Sequence, residues 1–110
     1  MTSGIYISTN KFNGRRYIGY SENIEVMWIS SRNTLNRGNF KTHHPLLQTD
    51  WNKYGENAFI SGILELLNTT DQTILSKRAQ YWRNLIQPEY NQYKGKTEPE
   101  RVTTMPQSIT

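Results

Sequence analysis

The sequence predicts an α/β domain: a small three-stranded sheet, two of its strands forming an antiparallel hairpin, flanked by helices. Three observations carry that reading. Two alternating runs flank an Asn13-Gly14 pair near the N-terminus. A more apolar run, residues 58–67, stands by itself in the middle of the chain. Three stretches of helical spacing lie between and after these runs, each bounded by capping or terminating residues. The element order is therefore strand, strand, helix, helix, strand, helix.

In the first strand, residues 3–9, Ile5 and Ile7 point one way while Tyr6 and Ser8 point the other. Asn13-Gly14 favours a two-residue type I′ turn, because both residues tolerate positive φ. Such a turn pairs Phe12 with Arg15, Asn10 with Tyr17 and Ser8 with Gly19. Even positions of the first strand then share a face with odd positions of the second, so Tyr6 and Tyr17 lie together. Taken alone, two tyrosines on one face are ordinary half-buried packing.

Asn23 is placed to cap a helix over residues 24–35, whose apolar stripe is Ile24, Trp28 and Leu35, with Met27 and Ser31 at its edge. Residues 36–43 form a basic, glycine-containing loop. Pro45 opens a second helix carrying Leu46, Leu47 and Trp51, and Tyr54-Gly55 closes it. In the run 58–67, Phe59 and Ile63 face one way and Ile60, Leu64 and Leu66 the other. A strand apolar on both sides is expected to be covered on both. Thr70-Asp71 begins the last helix, with Ile74, Leu75, Tyr81, Trp82, Leu85 and Ile86 facing inward, and Pro88 ends it.

At 110 residues the chain has room for one modest core. Residues 1–93 read as the folded domain. Residues 94–110, rich in Ser, Thr, Pro and charge, read as a flexible tail or linker stub. Cysteine is absent, which excludes disulfides, thiolate metal sites and cysteine nucleophiles. No apolar run approaches the roughly 20 residues that span a bilayer, and the N-terminus lacks the apolar core of a signal peptide. A cytoplasmic location and no membrane partner are the expectation. The net charge of +4 is compatible with a polyanionic partner. Ser, His and Asp occur at no spacing that suggests a nucleophilic triad.

Gly4-Ile5-Tyr6 and Tyr17-Ile18-Gly19, with ten residues between the two tyrosines, resemble the two half-motifs of the GIY-YIG nuclease family. The resemblance runs on in order. Asn23-Ile24-Glu25 resembles the family's start of the first helix. Leu47-Gln48 with Trp51-Asn52-Lys53-Tyr54-Gly55 resembles its central helix, and Phe59 to Glu65 its third strand. Gln80-Tyr81-Trp82 resembles its last helix, and Tyr90-Asn91 its closing segment. It covers about residues 3–93 and implies a GIY-YIG-like fold with a three-stranded antiparallel sheet.

The resemblance also implies a chemistry, Mg²⁺-dependent hydrolysis of a DNA phosphodiester. Tyr6 matches the family tyrosine that helps deprotonate the attacking water, Tyr17 the tyrosine beside it, and Asn91 the late asparagine. A first-helix arginine that steadies the scissile phosphate falls at Met27. A last-helix glutamate that binds the metal falls at Ala79. The histidine one turn after the arginine falls at Ser31, and the loop histidine at Thr42, where a one-residue slip makes the adjacent His43 the candidate catalytic histidine, with His44 next to it. Arg32 lies on a different helix face from Met27, and Arg78 has the wrong charge for metal binding. Read alone, Met27 and Ala79 are ordinary residues of an apolar helix face. Losing one charge-stabilising donor costs about 10²–10³ in rate, and Mg²⁺ is usually held by one or two carboxylates. The chain as written is therefore expected to cleave DNA poorly or not at all. Three explanations stay open: an endonuclease with introduced substitutions, a naturally nuclease-dead module that binds DNA or a protein, and a different chemistry on the same scaffold. Arg15, Arg16, Arg32, Arg37, Lys41, Lys53, Lys77 and Arg78 are the candidate phosphate contacts. A homodimer or protein partner is also compatible with the sequence.

Overall fold

The computed structural model describes residues 2–40 and 44–92. Strands β1 (Gly4–Asn10) and β2 (Arg16–Ser21) are followed by helices α1 (Ile24–Asn36) and α2 (Pro45–Tyr54). A short 3₁₀ turn, Glu56–Ala58, leads into β3 (Phe59–Leu66). Helix α3 (Gln72–Ile86) and the four-residue α4 (Glu89–Gln92) complete the domain. The sheet is antiparallel throughout, in the order β2-β1-β3. The predicted fold class is the observed one.

The punctuation residues act locally as expected. The Asn23 side chain accepts from the Val26 N–H and opens α1. Pro45 occupies the first turn of α2, where a missing N–H costs nothing, and Gly55 closes it at φ 87°. The Asp71 carboxylate accepts from the Thr73 and Ile74 N–H groups at the start of α3. Gln87, at φ 57°, and then Pro88 stop that helix.

The hairpin register differs from the expected one by two residues. Ser8 faces Tyr17 and Tyr6 faces Gly19. The connection is a five-residue loop, because asparagine side chains compete with the type I′ turn for the backbone. Asn10 Oδ1 accepts from the Phe12 N–H and Asn13 Oδ1 from the Arg15 N–H, both at 3.0 Å. Asn10 is itself fully buried and donates to Tyr90 Oη at 3.2 Å, which fixes where the strand ends. A slip of two preserves the pleat, so Tyr6 and Tyr17 still share a face.

The expectation that β3 is covered on both sides is corrected. β3 is an edge strand, and Ile60 and Leu66 are 58% and 66% exposed. A bulge also interrupts its alternation: Tyr6 faces Ile63, whereas Ile5 faces Glu65. The extra residue, Leu64, joins the core under α3. Glu65 then reaches Arg78 Nε at 2.8 Å and Trp82 Nε1 at 3.0 Å. In α3, Leu75 and Ala79 are buried while Ile74, Tyr81 and Leu85 are exposed, so the inward stripe is narrower than predicted. One amphipathic stripe suffices where a helix lies on a three-stranded sheet.

The sheet divides the core in two. On one face Ile5 and Ile18 pack on Ala79, with Trp82 and Ile86 beside them. On the other, Leu35, Leu47 and Tyr90 pack with Tyr17, Phe40, Trp51 and Phe59. Among the described residues no helix is long and apolar enough to cross a membrane. Residues 94–110, read as a tail, lie outside the described residues.

Candidate active site

Tyr6 and Tyr17 meet because the pleat puts them on one face and glycine makes room. Tyr6 lies across Gly19, where a Cβ would come within 2.5 Å of its hydroxyl. The two rings are 6.2 Å apart between centroids, and the Trp28 ring meets Tyr6 edge-on at 6.2 Å. The His44 ring stands edge-on to Tyr17 at 5.0 Å. In front of them opens a cavity of about 360 Å³, lined by Tyr6, Ser8, Tyr17, Trp28, Arg32 and Ser61 among others. The Ser8 and Ser61 hydroxyls are hydrogen-bonded at 2.9 Å, and the Trp28 indole N–H is buried without a partner.

Burial pushes the Tyr6 phenol far above the usual tyrosine range, and the neighbouring Tyr17 raises it further by charge and hydrogen bonding. Burial raises Tyr17 as well, against the opposing charge of Arg83 and the hydrogen bond with Tyr6. Both phenols therefore stay protonated at neutral pH. In this state each is a hydrogen-bond donor rather than a base.

Met27, Ala79 and Asn91 do not line this cavity, whereas Ser31 and Arg32 of α1 do. Met27 is half-buried on α1, and its sulfur accepts from Ser31 Oγ at 3.5 Å. Ala79 is fully buried against Ile5 and Ile18, on the sheet face away from the phenols. Asn91 caps the free edge of β2: its Oδ1 accepts from the Ile18 N–H at 2.7 Å and its Nδ2 donates to the Ile18 carbonyl at 2.9 Å. His43, Thr42 and Lys41 lie outside the described residues.

Four of the eight candidate phosphate contacts are paired with carboxylates. Arg15 pairs with Asp50 at 3.0 Å, Arg16 with Glu89 at 4.0 Å, Arg32 with Glu56 at 3.7 Å and Arg78 with Glu65 at 2.8 Å. Arg78 also lies over the Tyr81 ring. Lys53 lies over the Tyr54 ring, and neither it nor Arg37 has a carboxylate partner among the described residues.

Two functional-looking residues escaped the sequence reading. Asp50 is 4% exposed and accepts from Tyr90 Oη at 2.6 Å, Asn13 Nδ2 at 3.0 Å and Arg15. Arg83 reaches from α3 to the Ile18 carbonyl, with Nε at 3.2 Å and Nη2 at 3.1 Å, and its charge acts on both phenols. A usable signal existed for each. Asp50 falls at i+3 and i+4 from Leu47 and Leu46, on the apolar side of α2. Arg83 falls at i+4 from Ala79, beside the apolar stripe of α3.

A hairpin presenting paired tyrosines on a three-stranded antiparallel sheet, with α3 packed behind it, defines a GIY-YIG-like nuclease fold. The particular structures it matches are catalytic domains of one enzyme. The first is the catalytic domain of the intron endonuclease I-TevI in a Glu-to-Ala mutant form. Its TM-score is 0.68 at 30% identity, covering 84% of this chain and 87% of that one. The second is the catalytic domain described as that of the homing endonuclease I-TevI. Its TM-score is 0.66 at 28% identity, covering 82% of this chain and 89% of that one. No protein-family model matches the sequence, and no curated protein matches it.

Proposed function

We propose that this chain is a GIY-YIG family endonuclease domain that engages DNA through its phosphates and, as written, hydrolyses them little or not at all. The observation that carries this reading is the pairing of two protonated tyrosines at a cavity with methionine and alanine where the family's arginine and glutamate stand. The similarity to the I-TevI catalytic domain supports the substrate class.

The residues present do not suit a Mg²⁺ ion. Mg²⁺ demands hard oxygen ligands. Position 79 offers a buried methyl group, and no group of three or more His, Asp or Glu among the described residues could hold a metal. Both phenols are protonated, and a neutral phenol oxygen is a poorer ligand for a hard cation than a carboxylate.

The test is the double variant Met27→Arg with Ala79→Glu, assayed for nicking of supercoiled plasmid with and without Mg²⁺. The parent is expected to stay near background and the double variant to nick only with metal. Each restored group should contribute about 10²–10³ in rate. A thermal melt must accompany the assay, because a glutamate at position 79 enters an apolar contact with Ile5 and Ile18. Robust Mg²⁺-dependent nicking by the parent would overturn the reading, as would a folded double variant that stays inert. A parent that fails to bind duplex DNA at low salt points to a protein partner instead.

A further inference from the structure

We propose that Phe12 and Tyr54, flanked by Lys11 and Lys53, form a stacking platform for an unpaired DNA base, with the two lysines taking its neighbouring phosphates. The proposal rests on the reading that the chain engages DNA, and it names the state of the DNA that a surface outside the Tyr6–Tyr17 cavity takes.

The platform joins the hairpin loop to the end of α2. The Phe12 and Tyr54 rings are stacked, 5.7 Å between centroids and 16° from parallel. Lys11 Nζ lies over the Phe12 ring at 5.6 Å, and Lys53 Nζ over the Tyr54 ring at 5.2 Å. Neither ring lines the cavity. Packing does not account for Phe12, which is 65% exposed. Nor does the turn, whose hydrogen bonds come from the Asn10 and Asn13 side chains. The loop is nevertheless tied down. The Lys11 N–H donates to the Ala58 carbonyl at 2.9 Å, and the Asn13 and Arg15 side chains donate to Asp50 of α2. A ring held in this way is presented with little ordering left to do on binding.

Charge and shape then choose the ligand. Neither lysine has a carboxylate partner among the described residues. Asp50 and Glu56, which flank Lys53 in sequence, are committed to Arg15 and Arg32. An exposed aromatic ring beside two uncompensated ammonium groups fits a flat π-system that carries anions on either side, which is a nucleotide within a strand. In a duplex each base face is covered by its neighbours, so stacking here needs an unpaired base. To reach the ring, the base displaces an ammonium group. An exposed ammonium–ring contact is worth a factor of about 2–5 in an equilibrium, and base–aromatic stacking a factor of about 5–150. The exchange favours the base, and the displaced lysine gains a phosphate.

The test uses the full chain with three fluorescein-labelled probes: a DNA single strand, the same strand made abasic throughout, and the blunt duplex. Anisotropy is measured over a salt series in EDTA. Wild type should bind the base-bearing strand about tenfold more tightly than the abasic one. Phe12→Ala should lose that preference while binding the abasic strand as wild type does, and Phe12→Trp should keep it. Lys11→Gln and Lys53→Gln should each reduce the slope of log affinity against log salt by about 0.7 on the single strand. A Phe12 that only clamps the loop to α2 would leave Phe12→Ala with a lower melting temperature and an unchanged preference for bases, and that result overturns the proposal. Equal binding of the base-bearing and abasic strands by wild type overturns it too. The duplex arm tests the underlying reading separately. Duplex binding with no Phe12-dependent preference for bases removes the platform and leaves the DNA reading standing, whereas no binding of any probe at low salt removes both.

Discussion

At the scale of single residues, the motif glycines do different work. A Cβ on Gly4 would sit 2.0 Å from the Glu65 carbonyl oxygen, at φ 153°, where the backbone of β3 cannot give way. A Cβ on Gly19 would first meet the Tyr6 phenol, at 2.5 Å, a side chain and not backbone. Gly4→Ala should therefore cost about 3 kcal/mol or more and disrupt the β1–β3 pairing. Gly19→Ala should cost about 1–3 kcal/mol, by displacing the Tyr6 ring. Urea melts of the two variants check the order, and near-ultraviolet circular dichroism checks that the tyrosine environment changes in Gly19→Ala. Asn91 makes a related point. Its side chain satisfies the Ile18 N–H and C=O, so its position has a structural role whatever it does in chemistry. Asn91→Ala leaves the Ile18 N–H without its partner and should cost about 1–3 kcal/mol. A melting temperature equal to that of wild type would contradict the edge-capping role.

Between elements, Asp50 is the tie. From α2 it accepts hydrogen bonds from Tyr90 of α4, and from Asn13 and Arg15 of the hairpin loop. Burial pushes its carboxyl up, but the hydrogen bonds from Tyr90, Asn13 and Arg15 outweigh burial and hold it below the usual aspartate range. A carboxylate depressed in the folded state contributes stability that is fully present above the unfolded value. That contribution is lost as pH falls below about 4 and through the folded value. Thermal melts from pH 7 to pH 2.5 should therefore show wild type losing stability at the acid end. Asp50→Asn should be less stable by about 1–3 kcal/mol at neutral pH, with the gap narrowing in acid. A gap that stays constant with pH would remove Asp50 from the acid transition. At the start of α3, Asp71→Ala deletes the acceptor for two N–H groups and should cost about 1 kcal/mol, read from the same melts.

For the whole molecule, charge pairing matters more than net charge. The formal charge is +4, yet four arginines are matched to carboxylates in the structure. DNA binding should accordingly show a shallow salt dependence, with a log–log slope of about −3 for a few phosphate contacts. A slope near −8, measured by anisotropy, would require these ion pairs to open and re-form on DNA.

The sequence by itself determined the element order, the helix caps and the common face of Tyr6 and Tyr17, because these follow from local dihedral preferences and the two-residue pleat. It also marked positions 27 and 79 as apolar. The tertiary structure decided what those local rules cannot reach. The hairpin register depended on a buried Asn10 held by Tyr90, eighty residues away. The exposure of β3 depended on strand order, and the turn of Glu65 on a bulge that no alternation pattern announces. Above all, a fold is needed to set Arg83 against the carbonyl between Tyr17 and Gly19. Arg83 lies far from the motif in sequence, and only packing α3 against β2 brings it to that carbonyl.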